Sequence, residues 1–227
     1  MTSGCLVLVD GWNHFLRTQT CFGYEVAVKF PVDRLASHVA KAVGEEVVTD
    51  AAVIMALPAR NRPEEEADYW GWRKKLNKLN NYGVRHVAAR FSYHDPWSCA
   101  GCGNPLERKV TCPVCQRENP FPGRRTEKGA DVMLATMALN SAWRQDHSSL
   151  VIFAQDADYG PLARQVKSIY RQQGRQCELY SAFPKCEATH NHRGVPDTTW
   201  LPIGEETYAG LIALPFARPP QVTEQAG

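Results

Sequence analysis

Apolar runs that end in an acid, helical periodicities between them and glycines that stop the helices predict an α/β fold, a parallel sheet with helices on both faces. The first run, residues 5–10, is continuously apolar, as a central strand buried on both faces must be, and it ends in Asp10. Pro31 then opens a helix through Leu35, Val39 and Val43 that Gly44 stops, and residues 51–57 form the second strand. From Pro63 onward Tyr69, Trp72, Leu76 and Leu79 recur at helical spacing until Gly83, and residues 84–93 are the third strand. Residues 129–143 read as a helix with Met133, Leu134 and Met137 on its buried face. Residues 150–156 form a fourth strand that again ends in an acid. Pro161 then stands in the first turn of a helix carrying Leu162, Val166 and Ile169. Gly174 stops that helix, and residues 176–183 are the fifth strand. In such sheets ligands bind beyond the carboxyl ends of the strands.

A chain of 227 residues suffices for one α/β domain with a small insertion. Its parts are expected at 1–95 and 123–214, the insertion at 96–122 and a disordered tail at 215–227, where Pro219 and Pro220 adjoin a polar end. The net charge of +2 does not mark the whole surface as a nucleic-acid binder, so that case rests on local patches. The first residues lack the charged and apolar regions of a signal peptide, and no stretch has the length of a membrane span. A cytoplasmic protein without a membrane partner is expected, in which the eight cysteines are thiols or metal ligands before they are disulfides.

Asp10 ends the first strand, and Asp156 and Asp158 follow the fourth. If those strands are neighbours, the three acids share one rim of the sheet, and Asp131 joins them from the first turn of its helix. Clustered carboxylates repel and raise one another's pKa, a cost relieved by a cation between them. Oxygen ligands without histidine suit Mg²⁺ or Mn²⁺. Each acid taken singly is accounted for by helix capping, but capping gives no reason for three separated segments to converge.

Val9-Asp10-Gly11-Trp12-Asn13, Lys128-Gly129-Ala130-Asp131-Val132 and Gln155-Asp156-Ala157-Asp158-Tyr159-Gly160-Pro161-Leu162 resemble, in order and spacing, the three motifs of NYN domains, a PIN-like nuclease group. Gln155 stands where that family usually has Ser or Thr, and Tyr159 replaces the commoner Phe. The resemblance implies a PIN-like, Rossmannoid fold and an endoribonuclease. Asp10, Asp131, Asp156 and Asp158 would hold one or two divalent metals, Asn13 would orient a water or phosphate oxygen, and Lys128 would meet a phosphate. Trp12 and Phe15 are open to two roles, stacking on a base or walling the core.

Cys99, Cys102, Cys112 and Cys115 form two Cys-x-x-Cys knuckles, the pattern of a closed tetrahedral Zn²⁺ site with a structural role. Around them Arg108, Lys109, Arg117, Arg124, Arg125 and Lys128 outnumber Glu107, Glu118 and Glu127. Such a ribbon can clamp RNA beside an acidic rim, or it can be a solvated staple. Arg73, Lys74, Lys75 and Lys78 are read as a solvated helix face. Cys5, Cys21, Cys177 and Cys186 fit buried thiols or surface positions, and Cys186, His190 and His192 match no metal-ligand spacing. The competing readings are an RNA-binding module that does not cleave and a PIN-like DNA or flap nuclease. Oligomeric state is not written in the sequence.

Overall fold

The computed structural model describes residues 4–63, 65–94, 109–111, 118–120, 124–188 and 192–215. The chain runs through β1 (Cys5–Asp10), α1 (Gly11–Phe22), the single turn α2 (Tyr24–Ala27), α3 (Val32–Ala42), β2 (Val48–Ala56), α4 (Glu66–Asn81) and β3 (Val84–His94). A short antiparallel pair follows, β4 (Lys109–Thr111) and β5 (Glu118–Pro120), then β6 (Arg124–Lys128), α5 (Ala130–Arg144) and β7 (Ser149–Phe153). A 3-10 turn (Ala157–Tyr159), α6 (Gly160–Gln172), β8 (Glu178–Pro184), β9 (Thr199–Ile203) and α7 (Glu205–Ala213) complete it.

Seven strands make one sheet in the order β6-β3-β2-β1-β7-β8-β9, parallel except that β6 runs antiparallel to β3. This is the predicted α/β class. Successive side chains of β1 point to opposite faces, so Cys5, Val7 and Val9 enter one core with α1, α3, α4 and α7. Leu6 and Leu8 enter the other, against α5 and α6. Every residue of β1 is buried, which is why its sequence is a continuous apolar run.

Several elements differ from the sequence expectation. The fourth strand ends at Phe153, and Asp156 caps the 3-10 turn by accepting from the Asp158 N–H at 2.9 Å. The buried face of α5 is Ala130, Leu134, Ala138 and Ala142, four-residue steps of mostly small side chains that let the helix lie close to the sheet. Met133 is exposed and Met137 only half-buried, so Met133 is not part of that face. Helix α1, β9 and α7 were not predicted, nor was β6, whose Arg-Arg-Thr-Glu-Lys sequence suits an edge strand rather than a buried one.

Cys21 and Cys186 are joined by a disulfide, with Cα atoms 5.3 Å apart. That corrects their reading as separate thiols: the packing of α1 on β8 brings together residues 165 apart in sequence, a proximity that no local spacing encodes. Cys5 and Cys177 are buried free thiols, each pushed up to about 12 by burial. The four knuckle cysteines, Cys99, Cys102, Cys112 and Cys115, lie outside the described residues, as do Arg108, Arg117, His190 and the tail beyond Pro215. No helix among the described residues is long and apolar enough to cross a membrane.

Two histidines are enclosed by the packing. His14 of α1 meets the Tyr208 hydroxyl of α7 through Nε2 at 2.5 Å, and His147 meets the Ser141 hydroxyl through Nδ1 at 2.5 Å. Burial lowers their pKa values to about 3 and about 4, the second helped by the charge of Arg175. The unfolded chain therefore binds more protons at these sites than the folded one below the ordinary histidine value near 6.5. The stability they contribute is complete above that value and is lost as pH falls toward 4. The acids described below, with raised values, act in the opposite direction. A His147→Gln variant isolates the histidine: between about pH 7.5 and pH 5 it is expected to lose roughly 2 kcal/mol less stability than the wild type in urea denaturation. Parallel pH curves would contradict the assignment.

Candidate functional site

Parallel pairing of β1 with β7, with Val9 opposite Phe153, sets the ends of these two strands side by side. Asp10 closes β1 and also caps α1, its Oδ1 accepting from the Asn13 N–H at 3.1 Å. The turn from β1 into α1 needs glycine at position 11, because a Cβ there would lie 2.6 Å from the Met55 Cβ on β2. Gly129, with φ +87°, makes the turn from β6 into α5 and so brings Asp131 to the same rim.

Tyr159 joins the acids. Its buried hydroxyl lies 3.0 Å from Asp10 Oδ2 and 2.7 Å from Asp131 Oδ1, and so spans the two carboxylates. Burial first, then the neighbouring Asp10, pushes the phenol pKa up, which keeps the hydroxyl proton in place. Glu127 of β6 is the fourth member of the cluster: its Oε1 accepts from the Ala56 N–H at the end of β2. Burial pushes Glu127 up to about 7, opposed by the Ala56 bond and reinforced by the charges of Asp10 and Asp131. Asp10 rises to about 6, chiefly through burial and further through Asp131 and Asp156, against the bonds from Asn13 and Tyr159. Asp10 thus feels the charges of Asp131 and Asp156, and Glu127 those of Asp10 and Asp131, while Asp158 is exposed at the side of this group, as Asp131 is.

Among the described residues no three His, Cys, Asp or Glu side chains stand close enough together to hold a metal ion in this arrangement. One oxygen of each acid is taken by Asn13, Tyr159, Asp158 or Ala56. The second oxygens of Asp131, Asp156 and Glu127 accept no hydrogen bond among these residues. A set of carboxylate oxygens unsatisfied beside mutually repelling neighbours fits a hard divalent cation in donor chemistry.

Of the other sequence candidates, Asn13 anchors its Oδ1 on the Gln155 N–H at 3.4 Å, which bridges the first and third acid segments. Lys128 is exposed next to Glu127. Arg124 and Arg125 occupy the opposite end of β6, paired with His94 and Tyr93, and Lys109 begins β4. Trp12 donates from Nε1 to the Ala56 carbonyl at 2.9 Å and packs edge-on against Phe15 and Trp72, so it walls the core. Glu127 and Tyr159 were not picked out from the sequence. The signal for Tyr159 was present, as a departure from the family's usual Phe, whereas Glu127 sits among charges that look like an ordinary solvated strand. A groove of about 800 Å³ opens at the amino ends of β1, β2 and β3, lined by Leu6, Asp50, Arg85 and Arg144 among others. Its Asp50 and Arg85 neutralise each other, and it lies at the opposite end of the strands from the acids.

No family model matches the chain, and no curated protein matches it. Among solved structures it is similar to the crystal structure of a protein of unknown function from Vibrio parahaemolyticus, at 14% identity and a TM-score of 0.49, over 90% of this chain and 94% of that one.

Removing the Tyr159 hydroxyl leaves Asp10 and Asp131 facing each other without a shared donor. Tyr159→Phe is expected to cost about 1–3 kcal/mol in urea denaturation. The cost should shrink in an Asp131→Asn background, giving a coupling of about 0.5 kcal/mol or more. Purely additive effects would show that the hydroxyl does not link the acids.

Proposed function

We propose that this chain is a divalent-metal-dependent endoribonuclease of the NYN, PIN-like kind, which hydrolyses RNA phosphodiester bonds at the rim formed by Asp10, Asp131, Asp156 and Asp158. The observation that carries it is the meeting of acids from separate chain segments: the Tyr159 hydroxyl lies 3.0 Å from Asp10 and 2.7 Å from Asp131, the charges of Asp131 and Asp156 act on Asp10, and those of Asp10 and Asp131 act on Glu127. Such a cluster destabilises the folded chain unless it binds something positive.

Asp10, Asp131 and Asp156 would hold Mg²⁺ or Mn²⁺, with Asp158 and Glu127 at the margin. A bound ion supplies water activation and charge neutralisation at the phosphorus. Asn13, its carbonyl oxygen engaged by the Gln155 N–H, keeps its amide donors for a phosphate oxygen. Lys128, exposed beside Glu127, offers a positive charge to the polyanion that the acids repel. Tyr159 holds Asp10 and Asp131 in a fixed relation before substrate arrives. The same hydroxyl favours a second reading, a nucleic-acid binding module that does not cleave, because it pairs two of the acids by hydrogen bonding without a cation. Cleavage of DNA in place of RNA is the further alternative, and matched substrates decide between them. The proposal extends to Cys99, Cys102, Cys112 and Cys115 as a structural Zn²⁺ site, and to Arg108, Lys109, Arg124 and Arg125 as phosphate contacts of that insertion.

Cleavage of single-stranded RNA, structured RNA and DNA is to be compared in Mg²⁺, Mn²⁺ and chelator. Asp10→Asn and Asp156→Asn are each expected to lower RNA cleavage by at least about a thousandfold, equivalent to about 4 kcal/mol of barrier. Their thermal midpoints should stay level or rise, since asparagine still caps and repulsion is removed. Cleavage that persists in chelator, or in both variants, rules out the mechanism. Elemental analysis of purified protein should find one zinc per chain, lost in Cys112→Ser. A zinc-free preparation of the wild type would exclude the ribbon.

A further inference from the structure

Strand β2 ends at Ala56, whose N–H donates to Glu127 of the acid rim and whose carbonyl accepts from Trp12. The loop that leaves this point carries Arg60 and leads into α4, whose first turns bear Tyr69, Trp70 and Arg73. These four side chains form one cluster. The Arg60 guanidinium lies 5.1 Å and the Arg73 guanidinium 5.7 Å from the centre of the Trp70 ring. Arg73 is also 5.7 Å from the Tyr69 ring and donates to its hydroxyl. Trp70 remains 45% exposed, and its Nε1 donates to Glu66 at 3.4 Å.

Neither Arg60 nor Arg73 has a carboxylate partner among the described residues; the nearby Glu66 is engaged by the indole. Two guanidiniums held against aromatic rings keep their charge and lose little further freedom on binding, and both arginines are exposed. That is the chemistry that receives a phosphodiester, and the partly exposed indole beside it suits a base. Arg73 thus differs from its neighbours Lys74 and Lys78, which the solvated-face reading of this helix still describes.

We infer that Arg60 and Arg73, held against Trp70, seat the phosphate backbone of a single-stranded nucleic acid on the loop that departs from the acid rim. The inference rests on the proposed nuclease function only for the direction in which the strand then runs; binding itself does not require cleavage. The seat accounts for something the acids cannot do, which is to retain a polyanion near a negatively charged rim.

The test is fluorescence anisotropy with a labelled single-stranded oligouridylate over a salt series, in chelator so that nothing is cut. Weakly stacking uridylate isolates the phosphate contribution. For two lost phosphate contacts, the slope of log affinity against log salt in Arg60→Ala/Arg73→Ala is expected to flatten by about 1.4, with affinity down about tenfold or more at moderate salt. Arg60→Lys/Arg73→Lys keeps the charge but not the planar stack, so the slope should hold while affinity falls several-fold. If the double alanine variant does not fold, Arg60→Ala, an exposed loop position, carries the same test with a change of about 0.7. An unchanged slope in a folded variant, or no binding by the wild type, overturns the seat. A flattened slope together with absent cleavage in every metal would overturn the nuclease proposal and leave the seat standing.

Discussion

Strand β1 has neighbours on both edges and helices over both faces, and its last residue is an acid. Parallel pairing with β2 and β7 leaves no lateral freedom, so Asp10 emerges at the sheet's carboxyl edge at a fixed depth. The other acids reach that edge from different chain segments: Asp156 from the turn after β7, Asp131 from the start of α5, Glu127 from the antiparallel strand β6. The register of β1 is therefore the constraint that the rim depends on. A slip by one residue would turn Cys5, Val7 and Val9 into the wrong core and carry Asp10 away from its partners.

Holding those acids together has an electrostatic cost, and the structure meets part of it with neutral donors. Backbone N–H groups of Asn13, Asp158 and Ala56 and the Tyr159 hydroxyl each take a carboxylate oxygen. Burial and mutual repulsion still leave Asp10 and Glu127 raised toward neutrality. A site in that condition attracts protons and cations alike.

The rest of the molecule supports this edge from behind. The Cys21–Cys186 disulfide ties the end of α1, whose cap is Asp10, to the segment that follows β8. Trp12, Phe15, Phe30 and Trp72 interlock beneath the first turn of α1, and Tyr208 closes over His14 from α7. Aromatic packing thus fixes the helix that Asp10 begins, while the exposed Trp70 of α4 and the arginines beside it lie farther along the chain from β2.

The sequence determined the elements whose burial leaves a periodic or continuous apolar record: β1, β2, β3, β7, β8 and the helices α3, α4, α5 and α6. It also placed Asp10, Asp131 and Asp156 on one rim, because strand ends and helix starts are local features that parallel topology then aligns. It left out β6 and β9, edge strands whose sequences owe little to a core, and α1 and α7, which fill one face of the sheet. Tertiary structure alone decided that Glu127, from a charged edge strand, faces the rim, that the Tyr159 hydroxyl spans two acids, and that Cys21 meets Cys186. It also brought Arg60 to the Trp70 indole, which Arg73 already neighbours one helical turn away. Each of these depends on a contact between residues whose separation in the chain has no period, so only the folded packing could specify it.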